Sequence, residues 1–201
     1  MIAGLACVYV GVTLGADVTV HPFAIIGHQP SNSRALARQP VMVGDTVIGA
    51  RTIISPHAVI YAGVTIGEDC LIGDGVSIRE GSVIGNRCVV GRHATLHHDV
   101  TLEDDVRVLD VAHLTGGCFV GRGSFIGPGV LTSNDKRIDL RNYAHHGVTP
   151  PRFGQRVFVG TGANVLAGVT VGDDAVIGAG ALVVEDIPAG ARVLGQKAVV
   201  R

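Results

Sequence analysis

The chain has little of what usually builds a globular core. Aromatic residues make up 4% of its 201 residues and tryptophan is absent. A core must then be made of aliphatic side chains, and 29 glycines point to an interior with little room. Charge of either sign is also not in excess. The formal net charge of −1 gives no global attraction to nucleic acid or to an anionic membrane surface. No apolar run approaches the length that crosses a bilayer. Residues 1–10 lack a basic stretch ahead of their apolar one, which reads as no signal peptide and a cytoplasmic protein. The four cysteines lack the paired spacings of a zinc site. Helical periodicity is missing as well.

What the sequence does have is a step of six. From Ile48 the positions Ile54, Ile60, Ile66, Ile72, Ile78, Ile84, Val90, Leu96, Leu102, Val108, Leu114, Val120 and Ile126 are all aliphatic. From Thr52 the same step meets only small residues: Ala58, Val64, Cys70, Val76, Ser82, Cys88, Ala94, Val100, Val106, Ala112, Cys118, Ser124 and Val130. Cys70, Cys88 and Cys118 thus read as buried small hydrophobes rather than ligands. A strict hexapeptide repeat with one large and one small inward position describes a parallel β-helix. Three hexapeptides make one triangular coil, and coils stack by strand pairing. Residues eighteen apart should therefore be neighbours. Glycine often follows the aliphatic position, as at Gly67, Gly73, Gly85 and Gly91, where it is expected to supply backbone angles that a β-carbon makes costly.

The repeat also runs through residues 2–27 and resumes near Phe153, with Val159, Val165, Val171, Ile177 and Val183 inward. It is interrupted twice, near residues 28–42 and 133–152, by polar, proline-bounded loops. One domain spanning 1–201 is expected, carrying these two extended loops and no C-terminal helix. Loops on a rigid scaffold are places for binding groups. Arg34 and Arg38 are candidate anion contacts in the first. His145 and His146 are candidate acceptor contacts in the second.

The pattern resembles the hexapeptide-repeat acyltransferases. That resemblance implies an all-β, left-handed parallel β-helix, although the general rule for parallel crossovers gives the opposite hand. Residues 169–172, 176–181 and 185–190 are similar to the coenzyme A end of bacterial hexapeptide acetyltransferases. Thr132-Ser133-Asn134-Asp135-Lys136, the loop ending Thr149-Pro150-Pro151, and residues 100–106 are similar to the acetyltransferases of nucleotide-linked amino sugars. The resemblance implies acetyl-CoA as co-substrate, no metal, a homotrimer that covers outward apolar positions such as Val59, and an acyl-CoA-dependent N-acetylation of an amino sugar on a nucleotide. It assigns coenzyme contacts to the backbone around Ala163, Ala179 and Gly180 and to Arg192, Lys197 and Arg201. Acceptor contacts fall to Asn134, Asp135 and Lys136.

Among nine histidines, His98 in His97-His98-Asp99 is the leading general base. Its phase, four residues before Leu102, resembles the catalytic histidine of several sugar acyltransferases. The eighteen-residue lap puts Glu80 directly beneath it, about one strand spacing of ~4.8 Å away, as the carboxylate expected to fix the imidazole tautomer. Gly116 lies above as a donor to the acyl oxyanion, and Asn134 one lap further. His113 is the alternative base. Asp110 stacks over Arg92 as a structural ion pair. Two other functions fit the same fold. One is a sugar or small-molecule O-acetyltransferase. The other is a gamma-class carbonic anhydrase-like metalloenzyme using His57, His93 and His98, since three imidazoles are a common metal set.

Overall fold

A computed structural model of the chain describes residues 1–41, 44–137 and 147–195. Among these residues there is no helix. Twenty-six strands, β1 to β26, run from Cys7–Val8 to Arg192–Val193, most of them two residues long. They form three parallel sheets of nine, eight and nine strands. Strands pair with the one three places on in the chain, except that β24 (Val176–Ile177) pairs with β26. The eighteen-residue lap appears directly in the register, with Ser77 against Thr95, Val83 against Thr101 and Val89 against Arg107. The second loop lengthens one lap without losing the register, so Leu131 pairs with Asn164.

Burial follows the two phases of the repeat. Ile54, Ile60, Ile72, Ile78, Leu96, Leu114 and Ile126 are wholly buried, as are Ala58, Val64, Cys88, Ala94 and Cys118. All four cysteines are unpaired, with Cys7 exposed. Where the small position is polar, its hydroxyl bridges two coils. Thr52 Oγ1 donates to the Gly67 carbonyl (2.8 Å) and accepts from Cys70 N (3.0 Å). Ser82 and Ser124 repeat this arrangement. A buried hydroxyl is tolerated because both of its roles are met.

The glycines after the aliphatic position turn out to serve space rather than backbone angle. The left-handed residue of each corner lies two positions later, as at Asp69 (φ 57°), Gly75 (64°), Arg87 (55°) and Asp99 (57°). Gly67 and Gly73 instead sit where coils touch. A β-carbon on Gly67 would lie 2.8 Å from the Gly85 backbone, and one on Gly73 would lie 2.9 Å from Arg92 N. Side chains there would push successive laps apart.

Both loops leave the coil at the same corner. The first follows β4 (Ile25–His28) and the second follows β19 (Leu131–Thr132), and both strands lie in one nine-stranded sheet. The corners between them on that edge belong to Ala62, Glu80, His98 and Gly116. The topology therefore hangs two loops on either side of one short column.

Candidate active site

The column predicted from the eighteen-residue lap is present. Asp99 N donates to the Glu80 carbonyl (3.0 Å), Gly117 N to the His98 carbonyl (2.9 Å), and Asn134 Nδ2 to the Gly116 carbonyl (3.0 Å). The turn carrying His98 is held from beneath. Ser82 Oγ donates to the His97 carbonyl (2.9 Å) and accepts from Val100 N (3.2 Å). Glu80, His97, His98 and Asp99 line a cavity of about 330 Å³ with Arg79 and with Leu36 to Val41 of the first loop.

The two loops meet over this edge. Arg38 Nη2 lies 2.9 Å from Asp135 Oδ1, joining residues 97 positions apart. Lys136 of the second loop lies against the bare corner at Gly168. Asn134, Asp135 and Lys136 are therefore close to the column, with Asn134 fixed on Gly116. Arg34 is exposed in the first loop. His145, His146, Lys197 and Arg201 lie outside the described residues.

Glu80 does not play the part that stacking suggested. Its carboxylate is buried and taken by the neighbouring Arg79 in a two-pronged pair, 2.6 Å and 3.1 Å. A guanidinium fork matches both carboxylate oxygens, so it outcompetes a single imidazole nitrogen. The partner of His98 is Asp99, whose Oδ2 lies 2.8 Å from Nδ1. A carboxylate can only accept, so Nδ1 carries the proton and Nε2 keeps a free lone pair. Asp99 has a signal in the sequence that is easy to miss. On that corner the equivalent positions one lap either way are glycine, Gly81 and Gly117. A β-carbon on Gly81 would collide with the Asp99 carboxylate, so the glycine makes its room.

Gly116 stands against the Nε2 side of His98. A β-carbon there would lie 2.6 Å from His98 Nε2. Gly116 is buried, and its N–H meets no acceptor among the described residues. At another corner of the coil such N–H groups are capped by side chains, as when Asn86 Oδ1 accepts from Glu68 N (2.9 Å) and Asp104 Oδ1 from Asn86 N (2.9 Å). The edge beside His98 is left uncapped.

The other histidines divide clearly. His113 lies outside the cavity lining. Its Nδ1 is 2.7 Å from Thr95 Oγ1 and its ring packs edge-on to His97, with centroids 4.9 Å apart. Burial pushes its pKa down. His57 and His93 occupy a different corner from His98, where both take positive φ and His57 stacks on Phe23 (5.1 Å). Among the described residues no three potential metal ligands gather within one chain. Arg92 pairs with Asp110 as the lap predicted, Asp110 Oδ1 accepting from Arg92 N (2.9 Å) with Nη1 at 3.5 Å from Oδ2.

Of the residues assigned to the coenzyme, Ala163 is wholly buried. Its N–H donates to Gly160 (3.3 Å) and its carbonyl accepts from Leu131 (3.0 Å), so both groups serve the coil. Ala179, Gly180 and Arg192 are exposed. Gly129, Gly162 and Gly180 occupy one corner on successive laps, each with positive φ and with open space where a β-carbon would stand. They leave a bare strip along the later coils.

Residues 63–98 and 150–184 match the family model "Bacterial transferase hexapeptide (six repeats)", and residues 40–80 match "Hexapeptide repeat of succinyl-transferase". Over 65 residues the chain is 45% identical to a serine acetyltransferase of Helicobacter pylori, a match spanning 27% of this chain and 38% of that protein. The chain thus covers well under half the length of this curated relative. Its coil superposes on a UDP-N-acetylglucosamine acyltransferase from Campylobacter jejuni (TM-score 0.70, 19% identity, 100% of this chain and 74% of that one). The Francisella novicida UDP-N-acetylglucosamine acyltransferase is similar in the same way (0.61, 20%, 97% and 67%). At these identities the likeness is one of fold. No described helix is long and apolar enough to cross a membrane. Hexapeptide repeats like those of bacterial transferases thus recur at residues 40–98 and 150–184 and build the coil.

Proposed function

We propose that the protein transfers an acyl group, acetyl in the first instance, from coenzyme A to a sugar carried on a nucleotide, with His98 as general base. One observation supports this above the others. An imidazole oriented by Asp99 lines a cavity closed by the first loop, which Arg38 ties to Asp135 of the second, with its free Nε2 beside an uncapped backbone N–H at Gly116.

The chemistry runs as follows. The acceptor nitrogen or oxygen attacks the thioester carbonyl, and His98 Nε2 takes its proton. The carbonyl oxygen gains the electron pair and is met by the Gly116 N–H. The tetrahedral adduct collapses, the carbon–sulfur bond breaks, and the leaving thiolate takes the proton back from His98. The Asp99 carboxylate steadies the imidazolium between these steps. Asn134, with Asp135 and Lys136 of the same loop, holds the acceptor, and Arg38 of the other loop closes over it. The bare strip at Gly129, Gly162 and Gly180, with exposed Ala179 beside it, suits the narrow pantetheine arm. Arg192, exposed in the last strand, is taken as a cation for its phosphates.

Outward side chains such as Val47, Ile53, Leu71, Val83, Phe158 and Leu182 are exposed on the sheets. We take their cover to be two further copies in a homotrimer, because parallel sheets favour burial on both faces. A cytoplasmic location fits a coenzyme A-dependent reaction.

An amino-sugar acceptor is the first reading. A hydroxyl acceptor is favoured by one feature, the carboxylate-oriented base, since an alcohol needs deprotonation more than a neutral amine does. Release of free thiol from acetyl-CoA, followed with a panel of nucleotide-linked amino sugars and their hydroxyl counterparts, tests both. The expected outcome is acceptor-dependent release that falls in His98→Ala, most steeply with a hydroxyl acceptor. Absence of release with every amine and alcohol would sink the proposal.

A further inference from the structure

His97 lines the same cavity as His98 but has no part in the proton transfers described above. Its ring is half-buried. It packs edge-on against His113, with centroids 4.9 Å apart and planes at 72°, and lies 6.4 Å from the His98 ring. His113 is itself fixed by Thr95 Oγ1 at 2.7 Å. The His97 ring therefore rests on a rigid wall.

Neither ring nitrogen of His97 has a hydrogen-bond partner among the described residues. Burial, reinforced by His113 and Arg79, pushes its pKa down to about 4, so it is uncharged at neutral pH. A neutral imidazole has one donor and one acceptor nitrogen. No buried side-chain nitrogen or oxygen lacks a partner among the described residues, so the two unpartnered nitrogens of this cavity-lining ring are open to a ligand. The ligand group that fits both donates and accepts, as a sugar hydroxyl or amide does. A phosphate only accepts, and it would meet the carboxylates of Glu80 and Asp99 in the same cavity.

On the reading of the preceding section, we propose that His97 is a specificity-determining residue that hydrogen-bonds a hydroxyl or amide of the acceptor sugar next to the group acylated at His98. It orients the acceptor and leaves the proton transfer to its neighbour.

The test uses the full chain, with UDP-N-acetylglucosamine and UDP-glucosamine as probes. Their binding is measured by calorimetry to the wild type, His97→Phe and His97→Gln, and initial rates with acetyl-CoA are measured as well. His97→Phe keeps a flat ring against His113 but loses both nitrogens. It is expected to weaken acceptor binding about ten-fold, the effect of one or two lost hydrogen bonds, and to raise the acceptor KM by a similar factor. The acetyl-CoA KM and the pH dependence of kcat, which belong to His98, are expected to stay put. His97→Gln restores a donor and an acceptor and is expected to recover most of the binding. Unchanged acceptor binding in His97→Phe overturns the inference, as does a shifted kcat pH profile without a KM effect. Neither sugar binding to the wild type overturns it at the acceptor class. Wild-type turnover in His98→Ala overturns the base assignment instead, and the binding measurements on His97 still stand.

Discussion

Two adjacent histidines line the cavity in different surroundings. His98 has a carboxylate on Nδ1, whereas the half-buried His97 packs on His113 and leaves its nitrogens open to the cavity. For an alcohol acceptor, His98→Ala is expected to lower kcat by about 10²–10⁴. For an amine the loss is expected to be milder, so the size of the effect in a steady-state assay reports the acceptor chemistry. Asp99→Asn is expected to impair kcat more than KM, since an amide can present the wrong group to Nδ1. His97 also leaves a mark on stability. Its folded pKa lies near 4 against an ordinary 6.5, so between those values the unfolded chain binds the extra proton. Its contribution is intact above about pH 6.5 and is lost as pH falls toward 4. Denaturation midpoints measured over that window are expected to fall with pH, and less so in His97→Phe.

At the level of the hexapeptide, glycines that look alike in sequence do different things. Gly67→Ala would drive a β-carbon to 2.8 Å from the Gly85 backbone, which cannot step aside. A loss of about 1–3 kcal/mol is expected in chemical denaturation. Gly116→Ala meets a side chain instead, with the clash at His98 Nε2 (2.6 Å). The imidazole can swing away, so little stability but much activity is expected to go. Comparing the two variants by denaturation and by acyl transfer separates scaffold from site. Ser82→Ala belongs to the same scale. It would orphan the His97 carbonyl and Val100 N at the turn holding His98, at a cost of about 1–3 kcal/mol in the same denaturation series.

For the whole molecule, the decisive contact is between the loops. Arg38 and Asp135 meet across the candidate edge, with both side chains partly exposed. Partly exposed pairs contribute little to folding. Arg38→Ala is therefore expected to leave the unfolding midpoint nearly unchanged and to raise the acceptor KM. Light scattering on the purified protein is expected to give the mass of three chains, with the outward apolar sheet residues as the interface.

The step of six was enough to fix the coil, the buried residues and the lap of eighteen, because one backbone geometry repeats in each block between the loops. It also carried the column of Glu80, His98, Gly116 and Asn134, since stacking is set by backbone register alone. Side-chain choice was not legible in the same way. Whether Glu80 pairs with His98 or Arg79, and whether Asp99 turns toward the imidazole, depends on which partner offers the better geometry in space. The meeting of Arg38 and Asp135 was equally hidden. Two irregular loops carry no periodicity, and only their shared point of departure from the coil brings them over one site.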